Sequence, residues 1–166
     1  MPTPDFISDL RRKIGTDPLW LSGVTAVVLR GDEMLMVRRS DTGAWTPVTG
    51  IIDPGETPEI CARREAEEEI GFRLRDLRPC GSVVPSAGTL TERMYLYIAE
   101  VSCRDRVGEG GGVAQEGEAI EIVEIALPEL FRMARAGEIE DAKTLILVQS
   151  LMLDRLLGRG GQMPAS

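Results

Sequence analysis

The chain has no histidine in its 166 residues. Imidazole is therefore excluded as general base and as metal ligand, and carboxylates must do that work. Cysteine is scarce: Cys61, Cys80 and Cys103 are too few and too far apart for a zinc site. An odd count with no secretion signal at the N-terminus points to reduced thiols in a cytoplasmic protein, buried as small hydrophobes. No apolar run reaches membrane-spanning length, so no membrane partner is expected. Positive charge is also short, with 19 Lys and Arg against 27 Asp and Glu, a net charge of −8. That balance argues against a nucleic acid partner, whose phosphates need a basic surface. An anionic small molecule would have to be drawn in by a metal or a local arginine cluster. Repeats and linkers are absent as well. One domain over residues 1–157 is expected, with a disordered tail over 158–166.

What is present reads as an alternation of strands and helices. Pro4 to Gly15 is patterned as a short amphipathic helix, with Phe6, Leu10 and Ile14 on one side and Asp9 and Lys13 paired at i,i+4. Val24 to Leu29 and Met34 to Arg39 read as strands joined by a turn over Arg30-Gly31-Asp32-Glu33. Trp45 to Thr49 leads into a loop, and weak strand character follows over Leu74 to Val84. Met94 to Val101 and Ile120 to Ala126 are stronger strands. Between them, Ser102 to Gly117 is glycine-rich, acidic and without periodicity, long enough to be a functional loop. Pro128 opens a helix that Gly137 closes, and Asp141 to Leu157 is the last helix. This order predicts an α/β fold, a mixed sheet with helices on both faces. Tyr95, Tyr97 and Trp45 could stack on a base, but strand positions predict core for all three.

The rest of the chain is organised around Gly50 to Phe72. Two glycines and Pro54 punctuate its first six residues, which are expected to form a loop. Thr57 is suited to an N-cap, Pro58 to the first helical position, and Gly71 to a left-handed C-terminal stop. At about 100° per residue, Glu65, Glu68 and Glu69 share one arc of the helix. Ala62, Ala66 and Ile70 share a neighbouring arc, small and apolar enough to pack on a sheet. Carboxylates stacked at i,i+4 repel one another, which makes sense if a cation sits among them. Hard oxygen ligands select Mg²⁺, with Mn²⁺ as the alternative.

Gly50, Glu56, Arg64, Glu65, Glu68, Glu69 and Gly71 stand at the spacing G-x5-E-x7-R-E-x-x-E-E-x-G. From ordinary residue usage, that coincidence at one starting point falls below about one in ten million. It resembles the Nudix box with every fixed position filled. The resemblance implies an α/β/α sandwich and a hydrolase that cleaves a nucleoside diphosphate linked to another moiety. It implies that Glu65, Glu68 and Glu69 bind the metal, with the Gly50 carbonyl. Arg64 would orient a box glutamate, and Glu56 would tie the loop to the helix.

The C-terminal half, through Pro85-Ser86-Ala87-Gly88, Glu92, Gly110 to Glu118 and Gly137 to Thr144, resembles ADP-ribose pyrophosphatases. That likeness implies a general base on the late loop, Glu116 or next Glu118, and implicates Glu69 and Arg64 in catalysis. Arg38, Arg39 and Glu92 are candidate substrate contacts. Two departures are that Ala87 stands where those enzymes usually have proline, and that the N-terminal segment is too short for their swapped strands. The N-terminal half, with Gly43-Ala44-Trp45-Thr46-Pro47, resembles compact MutT-like proteins instead, so the chain is a mosaic of two styles. The leading expectation is Mg²⁺-dependent cleavage of ADP-ribose or a related nucleotide sugar to a nucleoside monophosphate and a sugar phosphate. A MutT-like triphosphate pyrophosphohydrolase is the second reading, and a non-catalytic nucleotide sensor the third. A homodimer is raised by family analogy alone.

Overall fold

The apolar run after Leu21 becomes the central strand. β1 (Ser22–Arg30) is buried from Gly23 to Leu29, because both of its faces are covered. In the computed structural model, residues 5–17, 19–39, 43, 45–86, 92–112 and 120–158 are described. β1 returns through a turn at Gly31, held at φ 63°, into β2 (Glu33–Arg39), its antiparallel partner. A left-handed φ of that kind is open to glycine without a Cβ penalty.

Farther along, the two strands diverge and each takes new partners. The first half of β1 pairs antiparallel with β4 (Val48–Ile51), placing Val24 opposite Gly50 and Thr25 opposite Thr49. The other edge of β1 runs parallel to β6 (Arg93–Glu100), which carries β5 (Arg78–Val83) beyond it. β2 takes β3 (Trp45–Thr46) on one edge and β7 (Ile120–Ala126) on the other. The described residues thus form a mixed sheet of seven strands.

Strand alternation sorts the core into two layers. Val24, Ala26, Val28, Leu35, Val37 and Val48 face α2 (Pro58–Ile70) and pack on its Cys61, Ala62, Ala66 and Ile70. Val27, Met34, Met36, Leu96 and Ile98 face the opposite way. They meet Leu127 and Leu130 of α3 (Leu127–Ala136) and Leu147, Val148 and Leu151 of α4 (Ala142–Leu156). This is the sandwich expected from the pattern. Each fully buried aliphatic side chain contributes about 1.5–3 kcal/mol. Gly137 ends α3 at φ 73°, and Asp141 caps α4 by accepting the Thr144 N–H at 2.8 Å.

Several expectations shift. β4 continues through Gly50 and Ile51, so the box opens on a strand rather than a loop, because both residues pair with β1. Trp45 is not core: it lies on a two-residue edge strand and is 41% exposed. Tyr97 is buried and Tyr95 partly so. Of the thiols, Cys61 is buried, Cys80 intermediate and Cys103 exposed. In α1 (Asp5–Ile14) the buried residue is Ile7, and Asp9 pairs with Arg12, not Lys13. The unpatterned stretch after Val101 contains a 3-10 turn over Cys103–Asp105, closed by a capping box between Ser102 and Asp105. Beyond Gly158 the tail lies outside the described residues. No helix among the described residues is long and apolar enough to cross a membrane.

Candidate active site

The helix α2 forms where its sequence signals place it. Thr57 Oγ1 accepts the Ile60 N–H at 3.3 Å, and Pro58 occupies the first turn. Gly71 stops the helix at φ 72°. The glycine-rich segment then folds back over that end. The Gly111 and Gly112 N–H groups donate to the Glu69 and Glu68 carbonyls at 2.9 and 3.1 Å. Such donors satisfy carbonyls that a helix end leaves orphaned. A Cβ on Gly71 would stand 2.3 Å from the Gly108 carbonyl oxygen, so the close approach depends on Gly71. Residue 120, where β7 starts, donates its N–H to Gly111 O at 3.2 Å. Gly111 and Gly112 are thus held directly on the C-terminus of α2, and Ile120 is tied to it through Gly111.

Glu65 and Glu69 of α2 lie against β4, and Glu68 stands beside them on Arg64. Glu65 is 7% exposed and Glu69 4%. Glu65 reaches over Gly50, where an added Cβ would lie 2.2 Å from its Cγ and Oε1. Glu69 Oε2 accepts the Thr49 N–H at 3.2 Å. Glu68 is the more open of the three, its side chain 36% exposed.

Arg64 links this group to the preceding loop. Its Nε and Nη2 donate to the two oxygens of Glu56 at 2.8 and 3.1 Å, a bidentate fork. Its Nη1 donates to Glu65 Oε1 at 2.8 Å and to Glu68 Oε2 at 3.2 Å. Glu56 also accepts the Asp53 N–H at 3.1 Å. The fork from Arg64, opposed by partial burial and aided by the Asp53 amide, holds the Glu56 carboxyl below the usual carboxylate range. The same hydrogen bonds push Arg64 further up, so it is a fixed cation at every working pH.

The donor set fits a hard divalent cation. Glutamate oxygens and a backbone carbonyl are the ligands Mg²⁺ takes, and Gly50 leaves room for Glu65 against β4. Glu65, Glu68 and Glu69 would hold it, with Gly50 contributing its carbonyl. As the side chains stand, no three carboxylates or thiols among the described residues meet around one point. Arg64 Nη1 instead bridges Glu65 and Glu68.

The NUDIX domain family matches residues 20–147 of this chain. The chain belongs to the Nudix family. Among curated relatives, the GDP-mannose pyrophosphatase of Salmonella arizonae is 39% identical over 109 residues, covering 66% of this chain and 56% of the relative. That of Cronobacter sakazakii is 42% identical over 104 residues, 63% of this chain and 53% of the relative. The chain spans about half the length of the curated relatives it matches. A solved structure described as an ADP compounds hydrolase superposes with a TM-score of 0.67 at 23% identity, covering 87% of this chain and 77% of that one. It is a likeness of fold.

The remaining candidates are distributed unevenly around the Nudix box. Val37 packs toward α2 and Met36 toward α3 and α4, so alternation puts Arg38 on the face away from the glutamates. There it lies 5.4 Å over the Trp45 ring and 3.5 Å from Glu121. The structure does not bring Arg38 to the box carboxylates. Arg39 ends β2 opposite Ile120. Glu92 immediately precedes β6 and is partly buried. Glu116 and Glu118 lie outside the described residues.

Two contributors escape sequence reasoning. Thr49 holds Glu69 through its backbone N–H, which no side-chain motif announces. Tyr97 donates its hydroxyl to Glu59 at 2.8 Å and so ties the first turn of α2 to β6. The run of Gly110, Gly111 and Gly112, all left-handed, was a visible signal for a backbone-to-backbone contact.

Proposed function

We propose that this Nudix protein is a divalent-metal-dependent pyrophosphohydrolase. Its substrate is a nucleoside diphosphate joined to a sugar, and its products are a nucleoside monophosphate and a sugar phosphate. The observation that carries the reading is the seating of Glu65 and Glu69 against β4, with Gly50 left bare for one and the Thr49 N–H holding the other, and Glu68 beside them on Arg64. The names of the curated relatives support a nucleotide sugar as the substrate class.

In the reaction, the oxygen of a water bonds to one phosphorus and the bridging P–O bond breaks. A carboxylate takes the water's proton. A bound dication would supply charge neutralisation to the phosphoryl oxygens. This chain's own contribution is to hold three carboxylates in fixed places before substrate arrives, so that little reorganisation is left for the chemical step. Glu116 is our candidate for the base, with Glu118 next. The residues that flank it in the chain support it: Gly112 is bonded to the Glu68 carbonyl at the end of α2, and Ile120 to the carbonyl of Gly111. Mg²⁺ is the proposed metal on the chemistry of its donors, with Mn²⁺ able to replace it. Three free thiols accord with action in the cytoplasm.

GDP-mannose and ADP-ribose, each with Mg²⁺, test the proposal when monophosphate release is resolved by chromatography. GMP or AMP should appear together with the sugar phosphate. Turnover of nucleoside triphosphates, with both nucleotide sugars untouched, would overturn it. Glu116→Gln should lose at least about a hundredfold in kcat, the scale of removing a positioned proton acceptor, while metal binding is retained.

A further inference from the structure

We propose that the glycine-rich segment 107–112 is a positioning element for Glu68 and Glu69, and that metal binding and the seating of this segment on α2 strengthen each other. This rests on the metal-dependent reading above.

Glu68 and Glu69 stand in the last turn of α2. Carbonyls of a last turn have no partner within their own helix, and helix ends fray where nothing else takes them. Here the donors come from far along the chain. The Gly112 N–H donates to the Glu68 carbonyl at 3.1 Å, and the Gly111 N–H to the Glu69 carbonyl at 2.9 Å. The Val107 and Gly108 N–H groups donate to the Gly71 carbonyl at 2.9 and 3.2 Å. Just beyond, the Arg73 N–H donates to the Asp105 carbonyl at 2.9 Å, and Phe72 forms a β-bridge with Arg106. Two of the three proposed metal ligands thus have their backbone held from outside the helix.

The fit is backbone against backbone. A Cβ on Gly110 would stand 2.6 Å from the Ile70 carbonyl carbon and 2.8 Å from the Glu69 carbonyl oxygen. Neither atom can turn aside as the end of a flexible side chain would. Gly111 is the contrast. It is left-handed too, at φ 98° against 71°, but its Cβ would meet only the Ile120 carbonyl oxygen, at 3.9 Å. Alanine at either position brings the left-handed penalty. Only at Gly110 does it also push the segment off the end of α2.

A metal site tolerates only about 0.2 Å in its ligand distances. A shift of the backbone at Glu68 and Glu69 moves both carboxylates at their roots. Groups that hold metal ligands from behind typically carry about 10- to 100-fold in affinity. The effect is mutual: the factor by which the seated segment raises metal affinity is the factor by which bound metal favours seating.

Mn²⁺ binding without substrate, followed by electron paramagnetic resonance, reads the first direction. Gly110→Ala should bind Mn²⁺ at least about tenfold more weakly than wild type. Gly111→Ala should stay closer to wild type than to Gly110→Ala. Both should melt below wild type, so the difference in metal affinity, which a merely structural cap would not produce, decides the matter. Equal affinities in the two variants would overturn the inference and leave the segment a helix cap. Hydrogen exchange of the wild-type protein, read by mass spectrometry, tests the second direction and needs no variant. The peptide carrying Gly111 and Gly112 exchanges through local opening, so saturating Mn²⁺ should slow it by at least about tenfold. If Gly110→Ala does not fold, this measurement stands alone, and exchange unchanged by Mn²⁺ would overturn the inference. Failure of wild type to bind Mn²⁺ at all would count against the inference and the metal-dependent reading together. Binding by wild type, with equal affinities in the variants and exchange indifferent to metal, would sink the inference alone.

Discussion

Gly50→Ala is the sharpest probe of how the site is built. Gly50 lies in β4, and its φ is outside the left-handed region, so alanine brings no backbone strain there. The whole effect comes from what the new methyl meets. It would stand 2.2 Å from Glu65 Cγ and Oε1 and 2.3 Å from Cδ, whereas ordinary contact begins at 3.4 Å. Glu65 must therefore retreat by about 1.2 Å, the difference between those two separations. It is 7% exposed and donor-bound to Arg64 at 2.8 Å, so it has little room in which to retreat. Overpacking of this kind costs about 1–3 kcal/mol. A metal site tolerates only about 0.2 Å in its ligand distances. A misplacement near 1 Å at a reacting centre costs on the order of a hundredfold.

The expected outcome is a folded protein with kcat/KM for nucleotide sugar reduced by at least about a hundredfold. Its melting temperature should fall by roughly 2–12 °C, since each 1 kcal/mol of that cost corresponds to about 2–4 °C in a domain of this size. Monophosphate release under subsaturating substrate measures the first, and a thermal melt in chelator measures the second. Activity within about threefold of wild type would refute the placement of Glu65 against β4.

Three other perturbations follow from the same geometry. Glu68→Gln and Glu69→Gln should each lower kcat by at least about a hundredfold with the fold intact, checked by product release and circular dichroism; full turnover in both removes the metal assignment. Gly71→Ala should destabilise by roughly 2–5 kcal/mol, combining the left-handed penalty with a Cβ 2.3 Å from the Gly108 carbonyl. Gly137→Ala, at φ 73° with nothing within 4 Å of its Cβ, should cost only about 1–2 kcal/mol when both variants are titrated with urea. Equal costs at the two positions would show that the contact of Gly71 with Gly108 is immaterial. Glu56 has a folded pKa held below its unfolded value, chiefly by Arg64. Its contribution to stability is therefore complete above the ordinary glutamate range, about 4.3, and is lost as pH falls through the folded value. Glu56→Gln should flatten the decline in melting temperature below about pH 5, and an unchanged slope would show that the fork does not contribute.

The helix of the Nudix box was readable because everything that defines it is local. Thr57, Pro58 and Gly71 act within one turn of themselves, and a 3.6-residue period puts Glu65, Glu68 and Glu69 on one arc wherever the helix packs. Ala62 and Ala66, fully buried, follow from the same period. What those acids rest against was not readable. That Glu65 covers Gly50, and that the Thr49 amide holds Glu69, depends on β4 pairing with β1 in one register. A slip of one residue would turn Gly50 to the opposite face. The places of Arg38 and Trp45 were hidden for a related reason. Their residue types suggest a ligand contact and a core position, but strand parity places Arg38 on the α3 and α4 side, and an edge strand leaves Trp45 open. Parity could have been read from the sequence, since Met36 and Arg38 are two residues apart, had it been known which face of β2 meets α2. The missing information is thus one bit per strand: which side of the sheet the box helix occupies. That bit is set by β1 and β4, where Val24 and Val48 pack toward α2 and Gly50 stands bare. A buried glycine between two half-buried β-strand positions, fifteen residues before a buried glutamate, is the sequence trace of that choice.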